Sequence, residues 1–324
     1  MNEYQRYLLE EFVDEYHERK MARRDLLRRA LLIMGSVPAA ATALIAVGCG
    51  GDDDEASSPS STQATTTPPQ ATTTAASSAS AAATTAAASP QATATAAPGV
   101  AASDLKIPGP ASDLLGYLAL PAGNAKAPGV LVIHENRGLN EHTKDIARRF
   151  AGEGFAALAV DLVSRDGGSK TDTAANTGSL GRARPDDLIA DLKAYGAYLG
   201  SHERVKLGGI GVTGFCFGGG YAFEAAIADA TVKAAVPFYG ICRLLDQLST
   251  TKAAVLVMYG ANDTRVTSQA EQVKAQLAKA AQASEVKIFA GANHAFFNDT
   301  GGNYNADAAK DAWTQMLAWF RKYV

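Results

Sequence analysis

The stretch GVTGFCFGGG, residues 211–220, sets a cysteine among glycines, after an apolar run and before a segment of small residues. Gly214-Phe215-Cys216-Phe217-Gly218 has the form G-x-C-x-G, a strand-to-helix corner that holds a nucleophile on a strained turn. The glycines remove side chains that would otherwise collide across so tight a bend. A helix N-terminus directly behind the sulfur favours the thiolate and offers N–H groups to a developing oxyanion. Such a thiol needs a base. The chain has five histidines, and only His294, in GANHAFFND, follows Cys216. Around a corner of this kind the order along the chain is nucleophile, acid, histidine. The acid then falls at Asp263 in VLVMYGANDTRV, just past an apolar run. A carboxylate there fixes the imidazole tautomer and stabilises its charged form. Taken alone, Asn262-Asp263 is an ordinary turn pair; the combination gives it a second reading.

Three distant segments can meet only if the fold brings their ends together. GVLVIHE, FAALAVDL, LGGIGVTG, VKAAVPFYG, AAVLVMYG and EVKIFAG read as short buried strands. Helical spacing separates them: Ile146 and Phe150 share a face, Leu188, Leu192 and Tyr195 another, and QAEQVKAQLAKAA and AKDAWTQMLAWFRKYV follow. Continuous apolar strands alternating with amphipathic helices predict an α/β fold, a mostly parallel sheet with helices on both faces. Sites in such sheets form beyond the carboxyl ends of strands. Cys216, Asp263 and His294 each follow one.

Composition divides the chain into three parts. Residues 50–103 are almost entirely Ala, Ser, Thr, Pro and Gln after an acidic start. Such a stretch buries too little apolar area to offset its chain entropy and reads as a solvated linker. Residues 104–324 are left as one domain, a size that supports a single core. The net charge of −3 comes from mixed acidic and basic residues without a basic stripe, which argues against nucleic acid as a partner. Cys49, Cys216 and Cys242 form no CxxC pair, so a zinc knuckle or dithiol redox motif is excluded. Cys242, after PFYG, reads as a small half-buried residue.

Residues 1–49 read as an address. Arg23 and Arg24 followed by Leu26 and Leu27 resemble a twin-arginine export signal. Residues 30–48 carry no charge, long enough for a spanning helix but only mildly apolar, as signal segments are. The run ends in AVGC, which resembles a bacterial lipobox, with Ala46 where Leu is usual and Cys49 as the lipidated residue. Cleavage before Cys49 or an uncleaved anchor both leave the domain outside the cytoplasm, tethered to the membrane or secreted. The first 22 residues suggest a charged helix and nothing further.

VIHENRGLN, AALAVDL, GVTGFCFGGG, PFYG, GANDTRV and GANHAFFND occur in the order of the dienelactone hydrolase family, and the domain resembles that family from residue 114 onward. The resemblance implies the α/β-hydrolase fold, a Cys216–Asp263–His294 triad, and no metal or organic cofactor. It further implies that Glu135 hydrogen-bonds the resting thiol until substrate displaces it. The backbone N–H groups of Asn136 and Phe217 would form the oxyanion hole. The expected substrate is a small ester or lactone. One departure stands out: where the family has a substrate-binding arginine four residues after the histidine, this chain has Asn298. Arg137 is the remaining candidate for an anionic group, against an ordinary ion pair. Acyl transfer or thioester cleavage on larger substrates, and a non-catalytic binding protein on the same fold, stay open.

Overall fold

A computed structural model describes residues 1, 3–17, 21–47 and 99–324. Three helices come first: α1 Glu3–His17, α2 Arg23–Met34 and α3 Val37–Ala46. Next come strands β1 Ala101–Pro108, β2 Asp113–Leu120 and β3 Ala127–Ile133, helix α4 Glu141–Gly152, and β4 Ala156–Val160. Helices α5 Thr173–Arg182 and α6 Pro185–Ser201 lead to β5 Val205–Phe215, α7 Phe217–Ala228 and β6 Val232–Phe238. The chain closes with β7 Ala254–Gly260, α8 Thr264–Thr267, α9 Ala270–Leu277, β8 Ser284–Phe289 and α10 Ala306–Tyr323.

The eight strands form one sheet in the order β1-β2-β4-β3-β5-β6-β7-β8. Only the β1–β2 and β2–β4 pairs are antiparallel. From β4 through β8 every neighbour is parallel. The strands read from sequence are all present. The antiparallel edge formed by β1 and β2 was not among them. Strand β1 also begins at Ala101, three residues inside the stretch assigned to the linker.

The order reverses at β3, which lies between β4 and β5. A crevice therefore opens beyond the carboxyl ends there. Beneath it the core is aromatic. Phe215 stacks on Phe297 at 5.3 Å, and both lie 5.0 Å from Phe238. Rigid rings packed at interior density give the strand ends a firm floor.

The N-terminal helices pack on the domain. The uncharged run of residues 30–48 is not one helix: Gly35 takes a left-handed conformation that ends α2, and Ser36 caps α3 with its hydroxyl on the Ala39 N–H. Among the described residues no single helix is long and apolar enough to cross a membrane; α2 and α3 reach the length together but meet at 109°. Leu26, Ala30 and Ile33 of α2 are buried. Where α2 crosses α5, Gly178 and Gly181 leave the room. A Cβ on Gly178 would sit 2.9 Å from the Cβ of Leu32. Cys49 and most of the linker lie outside the described residues.

Candidate active site

Cys216 is the N-cap of α7 and has φ 55°, ψ −116°, a conformation that side chains rarely adopt. Neighbouring glycines permit it. A Cβ on Gly214 would press into the Gly218 carbonyl oxygen, and one on Gly218 would lie 2.5 Å from the His134 carbonyl oxygen. The corner therefore nests against the end of β3. Of the three described non-glycine residues with positive φ, the other two are Tyr239 and Ala295, and all three are at this site. The Tyr239 ring packs edge-on against His294 at 5.1 Å.

The side chains read from sequence as partners do converge. His294 Nδ1 lies 2.6 Å from Asp263 Oδ2. Asp263 is fixed in turn because its Oδ1 accepts the Val266 N–H and caps α8. A ring nitrogen of His294, the Cys216 sulfur and a Glu11 carboxylate oxygen all lie within 4.8 Å of one another. Nε2 is buried and makes no hydrogen bond of its own. Burial opposes charge on His294, but the charge and hydrogen bond of Asp263 outweigh it and hold the imidazole pKa well above its ordinary value. Burial likewise opposes the Asp263 carboxylate, yet His294 holds its pKa below the usual range. The Cys216 thiol is pushed up, first by burial and then by the Glu11 charge.

Glu135 does not take the place expected for it. Asn298 Nδ2 donates to Glu135 Oε2 at 3.1 Å, while Oε1 is buried without a partner. The thiol donates instead to Glu11 of α1, at 3.4 Å from each carboxylate oxygen. Glu11 takes the position at the sulfur, where Asn136 Nδ2 donates to its Oε1 at 2.8 Å. Glu135 lines the same cavity but bonds Asn298 and not the thiol. The Tyr7 hydroxyl also stands 3.5 Å from the sulfur. The signal for α1 was legible: Leu8, Leu9, Phe12 and Val13 recur at helical spacing, and Glu11 sits at the edge of that apolar face, between Leu8 and Tyr7.

Asn136 lies in the loop after β3, and Phe217 is the first residue of α7. The Asn136 carbonyl accepts from Thr177, which anchors the loop. Arg137 pairs with Glu15 of α1 at 3.3 Å. Arg265 packs over the Tyr7 ring at 4.9 Å. Cys242 is fully buried rather than half-buried, its backbone bonded to Gln269, and burial pushes its thiol up to about 12. His134 accepts the Leu162 N–H on Nε2 and faces the Glu135 carbonyl through Nδ1, so it is a packing histidine that steadies this loop. Residues from α1, α2 and the strand-end loops line a cavity of about 1010 Å³ over the thiol. Glu11, Cys216 and His294 together also make an O, S and N donor set of the kind zinc accepts.

Residues 114–324 match the model of the dienelactone hydrolase family. The chain belongs to the dienelactone hydrolase family. This dienelactone hydrolase family member is 32% identical over 246 residues to a protein of Methylorubrum extorquens assigned as a carboxymethylenebutenolidase, covering 71% of this chain and 84% of that one. An Escherichia coli protein with the same assignment is 30% identical over 239 residues, 69% and 88% of the two chains. Among solved structures, a dienelactone hydrolase homologue from Klebsiella pneumoniae superposes with a TM-score of 0.63 at 29% identity, over 69% of this chain and 99% of that one. A dienelactone hydrolase-like promiscuous phosphotriesterase from metagenomic libraries gives the same TM-score at 26% identity, with the same coverage. The fold is that of the α/β-hydrolases, and the family member is a hydrolase.

Proposed function

We propose that this hydrolase cleaves small esters or lactones through Cys216. The sulfur attacks the carbonyl carbon as His294 takes the thiol proton on Nε2. Asp263 holds Nδ1 and stabilises the imidazolium. The backbone N–H groups of Asn136 and Phe217 receive the tetrahedral oxyanion. His294 returns the proton to the departing alcohol, leaving a thioester on Cys216. Water then attacks the thioester with His294 as base, releasing the acid and restoring the thiol. The observation that carries this reading is the bond between His294 Nδ1 and the Asp263 carboxylate, with Nε2 buried and unbonded and a ring nitrogen within 4.8 Å of the sulfur.

Replacing Cys216 with Ala tests it. Hydrolysis of p-nitrophenyl acetate should fall to the uncatalysed rate, and the acyl adduct seen by mass spectrometry on the unmodified protein should vanish. Unchanged turnover would reject Cys216 as the nucleophile. Export and tethering through residues 1–49 belong to the same proposal and rest on the twin-arginine and lipobox resemblance alone; metabolic labelling with a lipid analogue, compared with Cys49→Ser, tests them.

A further inference from the structure

We propose that α1 is an intramolecular stopper, seated in the active site so that Glu11 holds the Cys216 thiol and Tyr7 and Glu11 fill the space an acyl group must enter. The inference rests on the hydrolase reading above and adds a control to it. Both Glu11 carboxylate oxygens are 3.4 Å from the sulfur, and the Tyr7 hydroxyl is 3.5 Å away. Cys216 is left 2% exposed. A carbonyl carbon must displace these contacts to reach the sulfur from the adjoining cavity, so acylation is slowed while α1 is seated. The contact is built and specific. Asn136 bonds Glu11, Glu15 pairs with Arg137, and Arg265 lies on the Tyr7 ring. Leu8, Leu9 and Phe12 are fully buried, so hydrophobic burial seats the helix.

A nucleophile held this way is protected. A buried thiol beside a carboxylate resists both ionisation and oxidation. Chain order supplies a means of release. Helices α1, α2 and α3 all precede Cys49. The cut that the lipobox resemblance places before Cys49 would carry the stopper away with the leader.

The test uses the full chain. Leu8→Glu with Phe12→Glu puts charges on the buried face of α1 and detaches it. Glu11→Gln keeps that face and removes only the carboxylate charge. Two readouts follow: iodoacetamide labelling of the Cys216 peptide by mass spectrometry, with the Cys242 peptide as an internal control, and hydrolysis of p-nitrophenyl acetate. The detached variant should label Cys216 roughly tenfold faster or more, as access is restored and the Glu11 charge leaves the sulfur. Its hydrolysis should rise in parallel, and Glu11→Gln should move both the same way by less. Unchanged labelling with Cys242 still protected overturns the stopper, as does hydrolysis that falls when α1 leaves. If Cys242 labels as well, the domain has opened, and Glu11→Gln alone decides. Faster labelling of Cys216 without hydrolysis of any ester leaves the stopper standing and removes the hydrolase reading.

Discussion

Asn298 reaches across 163 positions of sequence to donate its amide to Glu135. It occupies the place where the family carries an arginine, and it spends its side chain on a neighbouring carboxylate. The bond links the loop after β8 to the loop after β3, so both walls of the site move as one. Asn298→Ala leaves the half-buried Glu135 with neither oxygen bonded by a side chain. A loss of about 0.5–1.5 kcal/mol follows from one hydrogen bond removed. For a domain of this size each kcal/mol lowers Tm by about 2–4 °C. Thermal unfolding by circular dichroism checks this, and adding Glu135→Gln should return part of the loss.

The Asp263–His294 bond predicts a tautomer effect. Asparagine at 263 offers an amide where the carboxylate accepted, which turns the imidazole proton to the wrong nitrogen. In a triad of the same logic this change lowers kcat by about 10⁴. A comparable fall is expected for Asp263→Asn with KM little changed, measured on an activated ester. A fall in kcat of less than tenfold would remove Asp263 from the mechanism.

The same pair makes stability depend on pH in two directions. Asp263 has a depressed pKa, so its contribution is present above the unfolded value and is lost as pH falls through the folded one. His294 has a raised pKa, so its contribution is full below the unfolded value and is lost as pH rises through the folded one. Stability from the pair is therefore greatest between about pH 4 and 6.5, the ordinary values of the two groups. Urea midpoints taken across pH should fall on both sides of that window. Asp263→Asn should flatten the alkaline limb.

Gly218→Ala tests the corner itself. Its new methyl would press on the carbonyl oxygens of both Ile133 and His134, at 2.6 and 2.5 Å. Backbone cannot yield as a flexible side chain would. The expected loss exceeds the usual range of about 0.5–3 kcal/mol for single substitutions. Soluble yield and melting temperature report it. A variant as stable and active as the parent would show that the close approach of α7 to β3 is dispensable.

Much of this site was legible in the sequence because its chemistry and geometry share the same residues. Gly214 and Gly218 mark a turn that needs them, and Cys216, Asp263 and His294 each follow an apolar run. Three features escaped. Strand β1 is mostly exposed, and AASDLKIP lacks a clean alternation. Helix α5, TAANTGSLGR, has small polar residues and two glycines, a poor helix former alone; packing against α2 supports it. The third is the contact from Glu11 to Cys216, which spans 205 positions. Periodicity shows that α1 has a buried face but not which surface receives it. The thiol was given to Glu135 by the family resemblance, which covers residues 114–324 and is silent on α1.

Cys216, Tyr239 and Ala295 hold backbone shapes that glycine would adopt at ease. An engineer seeking heat resistance would find these three positions inviting, since relaxing a contorted link is a common way to toughen a protein. Here the contortion sets the bearing of the sulfur and of the ring beside it. Glycine at 295 should trade catalytic aim for robustness, and at 239 it would also remove a fully buried ring whose packing outweighs the strain relieved, so the safer places to toughen this molecule lie on its far rim, along β1 and the outer helices.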